Sequence, residues 1–302
     1  MSPLPPCPLR AVQDVAVLCD ASPAALNAGW RAALVARDLA VPLKLLYQAP
    51  ASGANRLPAE LAALHRRIVE QLGCDVRVQA VAGDPLRDAV PLSRAALLVV
   101  PSKRGNPVRE FILGTQTERV IRLARGPVLV VKQPARTPYR RVFAALDFGE
   151  HSSVLLSAAT TLARGEAVAA VHALARGGEL ALAELDASPE ALRHYRLQRA
   201  SRARAAIEAL GGPGGAGVRP IVVLGPAAPA IVWGVRAARA DLLVIGKRRR
   251  GLLADFFLGS VTREVLAGAA ADALVVPLRG EHARATESTA RSYARLPRSG
   301  AP

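Results

Sequence analysis

RAALLVVPSKRGNPVREFILGTQTERVIRLARGPVLVV (residues 94–131) lies without a gap over RADLLVIGKRRRGLLADFFLGSVTREVLAGAAADALVV (residues 239–276). Both copies run arginine-alanine, an apolar stretch, a basic loop, a Phe-x-Leu-Gly-Ser/Thr corner, a helix-like segment and a closing apolar stretch. Such self-similarity is the mark of a duplicated unit. Working outward, DVAVLCDAS (14–22) matches RVFAALDFG (141–149), and each is a short apolar run ending in Asp. LKLLYQAP (43–50) is laid over AVAAVHAL (167–174), and VRVQAVAGDP (76–85) over VRPIVVLGP (218–226). The chain is read as a tandem duplication, and the prolines of KQPARTPYRR (132–141) suit a linker between its halves.

Within each unit, short aliphatic runs alternate with helical segments. Helices are expected over Ala24–Ala40 and Ser152–Arg164 after strand one, and over Pro58–Leu72 and Pro189–Leu210 before strand three. The last of these opens on a Ser188-Pro189 start signal. Continuous apolar strands alternating with helices predict parallel strands buried on both faces. The expected fold is α/β: two repeated doubly wound domains, each a five-stranded parallel sheet of order 3-2-1-4-5 with flanking helices. The expected divisions are an N-terminal extension (1–12), a first domain (13–133), a linker (134–140), a second domain (141–278) and a disordered basic tail (279–302).

Composition narrows the class. The chain has no apolar run of the length a membrane span needs, roughly 18–20 residues, and its start, MSPLPPCPLR, has no signal-peptide core. A cytoplasmic location is expected. Cys7, Cys19 and Cys74 are far apart and form no C-x-x-C pair, which speaks against disulfides and thiolate metal sites. His65, His194 and His282 have no partner at ligand spacing, so no metal is expected. The net charge is +16, and of 40 basic residues only Lys44, Lys103, Lys132 and Lys247 are lysines. The arginines are spread through helical segments such as RLQRASRARAAIEAL. With two tryptophans, four tyrosines and five phenylalanines there is little to stack on bases, so nucleic-acid binding ranks last.

An open parallel sheet binds ligands beyond the carboxyl ends of its strands, where the strand order reverses. In the second unit, that position brings together Asp147 after strand one and the loop from Gly246 to Ser260 after strand four. The helix that follows Gly259 offers free amides and the positive end of its dipole to a phosphate. Here the sequence resembles the universal stress protein family, over nearly all of residues 13–278. The resemblance rests on GKRRRGLLADFFLGSVT (246–262) set against the family's G-x-x-G-x9-G-[S/T] loop, together with the strand-one Asp. It implies a tandem two-domain member whose units pair through their last strands as an intramolecular pseudo-dimer, with further dimerisation left open. By position it also implies that Asp147 and the end of strand two, Val171–Ala173 with His172, hold the nucleoside of an adenine nucleotide, ATP. Gly246, Gly259, Ser260, Val261 and Thr262 would face the phosphates, with Arg248 and Arg249 as further phosphate ligands; whether magnesium accompanies the nucleotide is open.

The sequence departs from the family pattern at Arg249, which stands where the middle glycine belongs. In the first unit, Pro101 and Arg104 replace two loop glycines, while Gly114-Thr115 survives. Thr115-Gln116-Thr117-Glu118 forms a capping box, and the equivalent of Glu118 in the second unit is Arg263. The second unit is therefore the expected nucleotide site and the first a degenerate partner. Asp20 reads as a helix cap, while Asp147 reads as either a turn residue or a ligand, and Ser260 as a helix cap, a phosphate ligand or both. GPGGAG (212–217) follows a helix and precedes a strand, the reverse of a dinucleotide fingerprint, and reads as a loop. No nucleophile elbow or Walker-type loop is present, so at most weak ATP hydrolysis is expected and no catalytic residue is named. The competing reading is a nucleotide-free interaction protein that docks an acidic protein partner through its basic loops.

Overall fold

A computed structural model describes residues 7–48, 57–81, 91, 94–102, 116–149, 151–175, 187–211, 217–248 and 259–278. The first unit contains β1 (Asp14–Leu18), α1 (Pro23–Leu39), β2 (Leu43–Gln48), α2 (Ala59–Leu72), β3 (Val76–Val81), β4 (Ala96–Pro101), α3 (Gln116–Leu123) and β5 (Val128–Val131). The second contains β6 (Val142–Leu146), α4 (Ser152–Ala163), β7 (Val168–Leu174), α5 (Pro189–Leu210), β8 (Val218–Leu224), α6 (Ala227–Ala237), β9 (Leu242–Arg248), α7 (Ser260–Gly268) and β10 (Asp272–Leu278).

The strands form one ten-stranded sheet in the order β3-β2-β1-β4-β5-β10-β9-β6-β7-β8. Each half has the expected order 3-2-1-4-5, and pairing is parallel except where β10 meets β5 antiparallel. The central strands are buried along both faces, as in VLVV (128–131) and VFAAL (142–146). Two apolar layers, one on each face, run across both units. Burying an aliphatic side chain in such a layer contributes about 1.5–3 kcal/mol.

The duplication is visible in backbone detail. The residue after each strand-one Asp has a positive φ, 59° at Ala21 and 54° at Phe148. The helices that follow both end on a left-handed residue, Ala40 at 55° and Arg164 at 53°. Register corrects one alignment made from sequence. The equivalent strand-one residues Ala16 and Phe143 pair with Lys44 and Ala169, so β2 and β7 correspond with a one-residue shift, and Tyr47, not Gln48, is the counterpart of His172. The strand's even apolar character hid the slip, because parallel strands buried on both faces carry no alternation to fix their phase.

The proline-rich junction is a bound strap. Asn27 holds it at both ends of a short stretch, donating from Nδ2 to Gln133 O and accepting from Ala135 N. Arg31 donates to Thr137 O, and Asp241 accepts from the amides of Arg140 and Arg141. At its centre Asp272, fully buried, accepts from the amides of Lys132 and Gln133 and from the Tyr139 hydroxyl, and pairs with Arg31 at 3.2 Å. The Arg31 guanidinium also lies over the Tyr139 ring at 4.2 Å. Burying this carboxylate is tolerable because each oxygen is matched to a donor.

Candidate functional site

β6 lies between β7 and β9, so the strand order of the second unit reverses around its carboxyl end. A cleft of about 700 Å³ opens there, bounded by the ends of these three strands, by α6 and by the N-terminus of α7. Its apolar walls include Val171, Ile245 and Ile231, with Leu155 and Leu278 beside Gly246. Its polar side brings together Asp147, His172, Ala173, Gly246, Gly259, Ser260, Val261 and Thr262. These eight positions, scattered over more than a hundred residues of sequence, are the ones expected to meet. Arg249 lies outside the described residues, as does the side chain of Arg248.

The α7 end is open to a ligand. Gly259 is the N-cap (φ −54°, ψ 147°), and among the described residues no side chain caps the helix. Ser260 is thus its first helical residue, which corrects the reading of this serine as the cap. The first amide bonded back along the chain is that of Arg263, to Gly259 O, so those of Ser260, Val261 and Thr262 have no helical carbonyl. The first turn carries no acidic residue to offset the positive pole of the helix. A Cβ on Gly259 would meet nothing within 4 Å among the described residues.

Gly246 serves another need. It is an extended strand residue paired with Val276, and a Cβ there would stand 2.5 Å from Leu278 Cδ1 and 3.3 Å from Leu155 Cδ1. Glycine is required by the close approach of these leucines, which line the same cleft. Thr262 is buried and donates its hydroxyl to Gly246 O at 3.3 Å, tying α7 to the end of β9. The first unit repeats this bond: Thr117 donates to Pro101 O at 3.4 Å.

At the nucleoside end, Asp147 is exposed and folds its Oδ1 onto Gly149 N at 2.9 Å, with Ser152 Oγ at 3.5 Å. It is a turn residue at the cleft edge, and no side chain caps α4. Phe148 holds its left-handed backbone with its ring 4.1 Å from that of His172, centroid to centroid. Strained backbone of this kind costs about 1–3 kcal/mol and gathers at functional sites. His172 Nδ1 lies 2.9 Å from Leu146 O. A carbonyl only accepts, so Nδ1 is the donor in this contact.

In the first unit the cap falls to Ser22, whose hydroxyl accepts from Ala25 N, and not to Asp20 as the sequence suggested. Asp20 braces that cap, accepting from Ser22 N and Ser22 Oγ. Thr115, Gly114 and Arg104 lie outside the described residues, as do residues 279–302 and most of the glycine-rich loop at 212–217. Sequence reasoning missed two contributors. Helix α6, which walls the cleft through Ala227 and Ile231, was signalled by Pro226 ahead of an Ile231–Val235 spacing. Lys247, part of the basic loop in the sequence, is only 2% exposed and donates to Ile121 O and Arg122 O at the end of α3. Among the described residues, no helix is long and apolar enough to cross a membrane and no three His, Cys, Asp or Glu cluster as metal ligands.

Comparison with known proteins fits this geometry. The model of the universal stress protein family matches residues 138–277. A search among curated proteins found no match. Among solved structures, a functionally unknown protein from Pseudomonas aeruginosa PAO1 is 21% identical and covers 94% of this chain and 99% of its own, with a TM-score of 0.64. A universal stress protein from Archaeoglobus fulgidus is 18% identical over 87% of this chain and 98% of its own, with a TM-score of 0.61. A universal stress protein in complex with cAMP is 27% identical over 40% of this chain and 97% of its own, with a TM-score of 0.36. The universal stress protein family match covers the second unit, and the first unit repeats its fold in tandem.

Proposed function

We propose that the second unit binds an adenine nucleotide, ATP, as a regulatory ligand with slow or no hydrolysis, in the cytoplasm. The observation that carries this reading is the cleft at the strand-order reversal, closed on one side by a helix N-terminus whose N-cap residue, Gly259, has no side chain to cap it. The amides of Ser260, Val261 and Thr262 and the Ser260 hydroxyl would take the phosphates. Asp147, an acceptor at the cleft edge, would hold ribose hydroxyls. His172 and Ala173, at the end of β7, would border the base, with Val171 and Ile245 as its apolar bed. Gly246 keeps the floor close-packed, and Arg248 and Arg249 would meet the outer phosphates.

The test is thermal unfolding of nucleotide-stripped protein with and without saturating ATP. A ligand that binds only the folded state at a hundred times its Kd adds about 2.7 kcal/mol, several degrees of melting temperature. The rise should vanish in Gly259→Glu, which sets a carboxylate before the helix amides. If ATP leaves the melting temperature of the wild type unchanged, the reading fails and nucleotide-free docking of an acidic partner replaces it.

A further inference from the structure

The cleft of the second unit is held in place by residues that belong to, or reach into, the first. Helix α7 has no basic residue in its last turn. Its terminal carbonyls, Leu266 O and Ala269 O, accept from Lys132 Nζ at 2.5 and 2.7 Å. Lys132 directly follows β5 of the first unit, and its own amide is fixed by the buried carboxylate of Asp272. The ammonium therefore projects from an anchored backbone.

The opposite end of α7 is tied in the other direction. Thr262 donates to Gly246 O, and the next residue, Lys247, crosses into the first unit to cap α3. A closed path of polar contacts results. It leaves the first unit at α3, passes Lys247 and Gly246 to the ligand end of α7, follows that helix and returns to the first unit at Lys132. A helix of nine residues is about 13 Å long and nearly rigid, so a tie at each end fixes both its position and its tilt. The cation at its carboxyl end also offsets the negative pole there, while the positive pole faces the cleft.

We propose that Lys132 is a positioning residue for the phosphate end of the second unit's cleft, so that the first unit acts as a fixed scaffold for its neighbour's ligand. The inference rests on the reading of that cleft as a nucleotide site. Its selectivity is what makes it testable, since a displaced α7 moves the amides of Ser260–Thr262 and leaves the nucleoside end on β6 and β7 where it was.

The experiment titrates full-length wild type, Lys132→Met and Lys132→Arg with ATP and with adenosine by calorimetry. Lys132→Met should weaken ATP roughly fivefold, the size of a helix-terminus charge effect, and leave adenosine within about twofold. Lys132→Arg, which keeps the cation, should bind ATP within about twofold of wild type. Should Lys132→Met fail to fold, Lys132→Gln, which keeps a donor, gives the same comparison. Equal losses for ATP and adenosine, or no loss of either, would overturn the proposal while the cleft reading stands. A wild type that takes up no ATP would remove the cleft reading, and this inference with it.

Discussion

In the first unit, Ser22 caps its own helix, Asp20 braces that serine, and Glu118 sits in the first turn of α3. In the second, α4 and α7 begin without any side-chain cap among the described residues, Asp147 stands exposed at a cleft edge, and the position of Glu118 is taken by Arg263. The frames are otherwise alike: both keep the left-handed residue after the strand-one Asp and the threonine bond from the last helix back to strand four. The difference lies in where polar groups are used. After strand one the first unit caps its helix with Ser22 and starts α3 with an acidic residue, whereas α4 and α7 of the second unit begin on N-cap residues that supply no side-chain cap. Asp272, Lys132 and Lys247 join the two, so the first unit still bears on the second.

Breaking that junction should have the largest effect. Asp272→Ala leaves Arg31, the Tyr139 hydroxyl and two amides without their buried acceptor and should cost about 3–5 kcal/mol in denaturant unfolding. A loss below about 1 kcal/mol would show that the strap does not depend on this carboxylate. Next comes Gly246→Ala, whose Cβ would run into Leu278; about 1–3 kcal/mol of stability should go, and nucleotide affinity with it. Pro101→Gly at the matching place in the first unit should leave ATP binding unchanged, which sharpens the contrast between the two sites.

A smaller effect is expected at high pH. Burial, and then the Asp272 carboxylate, push the Tyr139 phenol well above its ordinary value near 10, so the fold favours the neutral form. Stability from this group should be complete below about pH 10 and fall as pH rises beyond it, because the unfolded chain releases the proton first. Tyr139→Phe should flatten that decline when unfolding is followed between pH 9 and about 12; an unchanged slope would place the alkaline sensitivity elsewhere. Least disruptive should be Gly259→Ala, whose Cβ meets nothing within 4 Å among the described residues and whose backbone is extended, with a stability change within about 0.5 kcal/mol.

Much of the fold was legible because one signal occurred twice. An ungapped match across 94–131 and 239–276 placed strands four and five and the intervening helix in both units, and strand order followed from their parallel pattern. The cleft was legible as a set of loop ends, since a sheet of this order puts Asp147, His172 and Gly259 on one edge whatever their separation in sequence. Other features were not. Strand two slipped by one residue because Val168–Leu174 is apolar on both faces. The role of Lys247 could not be read from the basic loop because its acceptors, two helix-end carbonyls of α3, become its neighbours only when the units join. The same holds for Asp272, whose partners come from α1 and the strap, and for a proline-rich segment that flexible-linker composition could not distinguish from a bound one.

The central claim is that the duplication left one working site. Calorimetric titration of nucleotide-stripped, full-length protein with ATP tests it most directly. The account predicts a stoichiometry near one per chain that disappears in Gly259→Glu. Two sites per chain, or one site that survives Gly259→Glu, would contradict it.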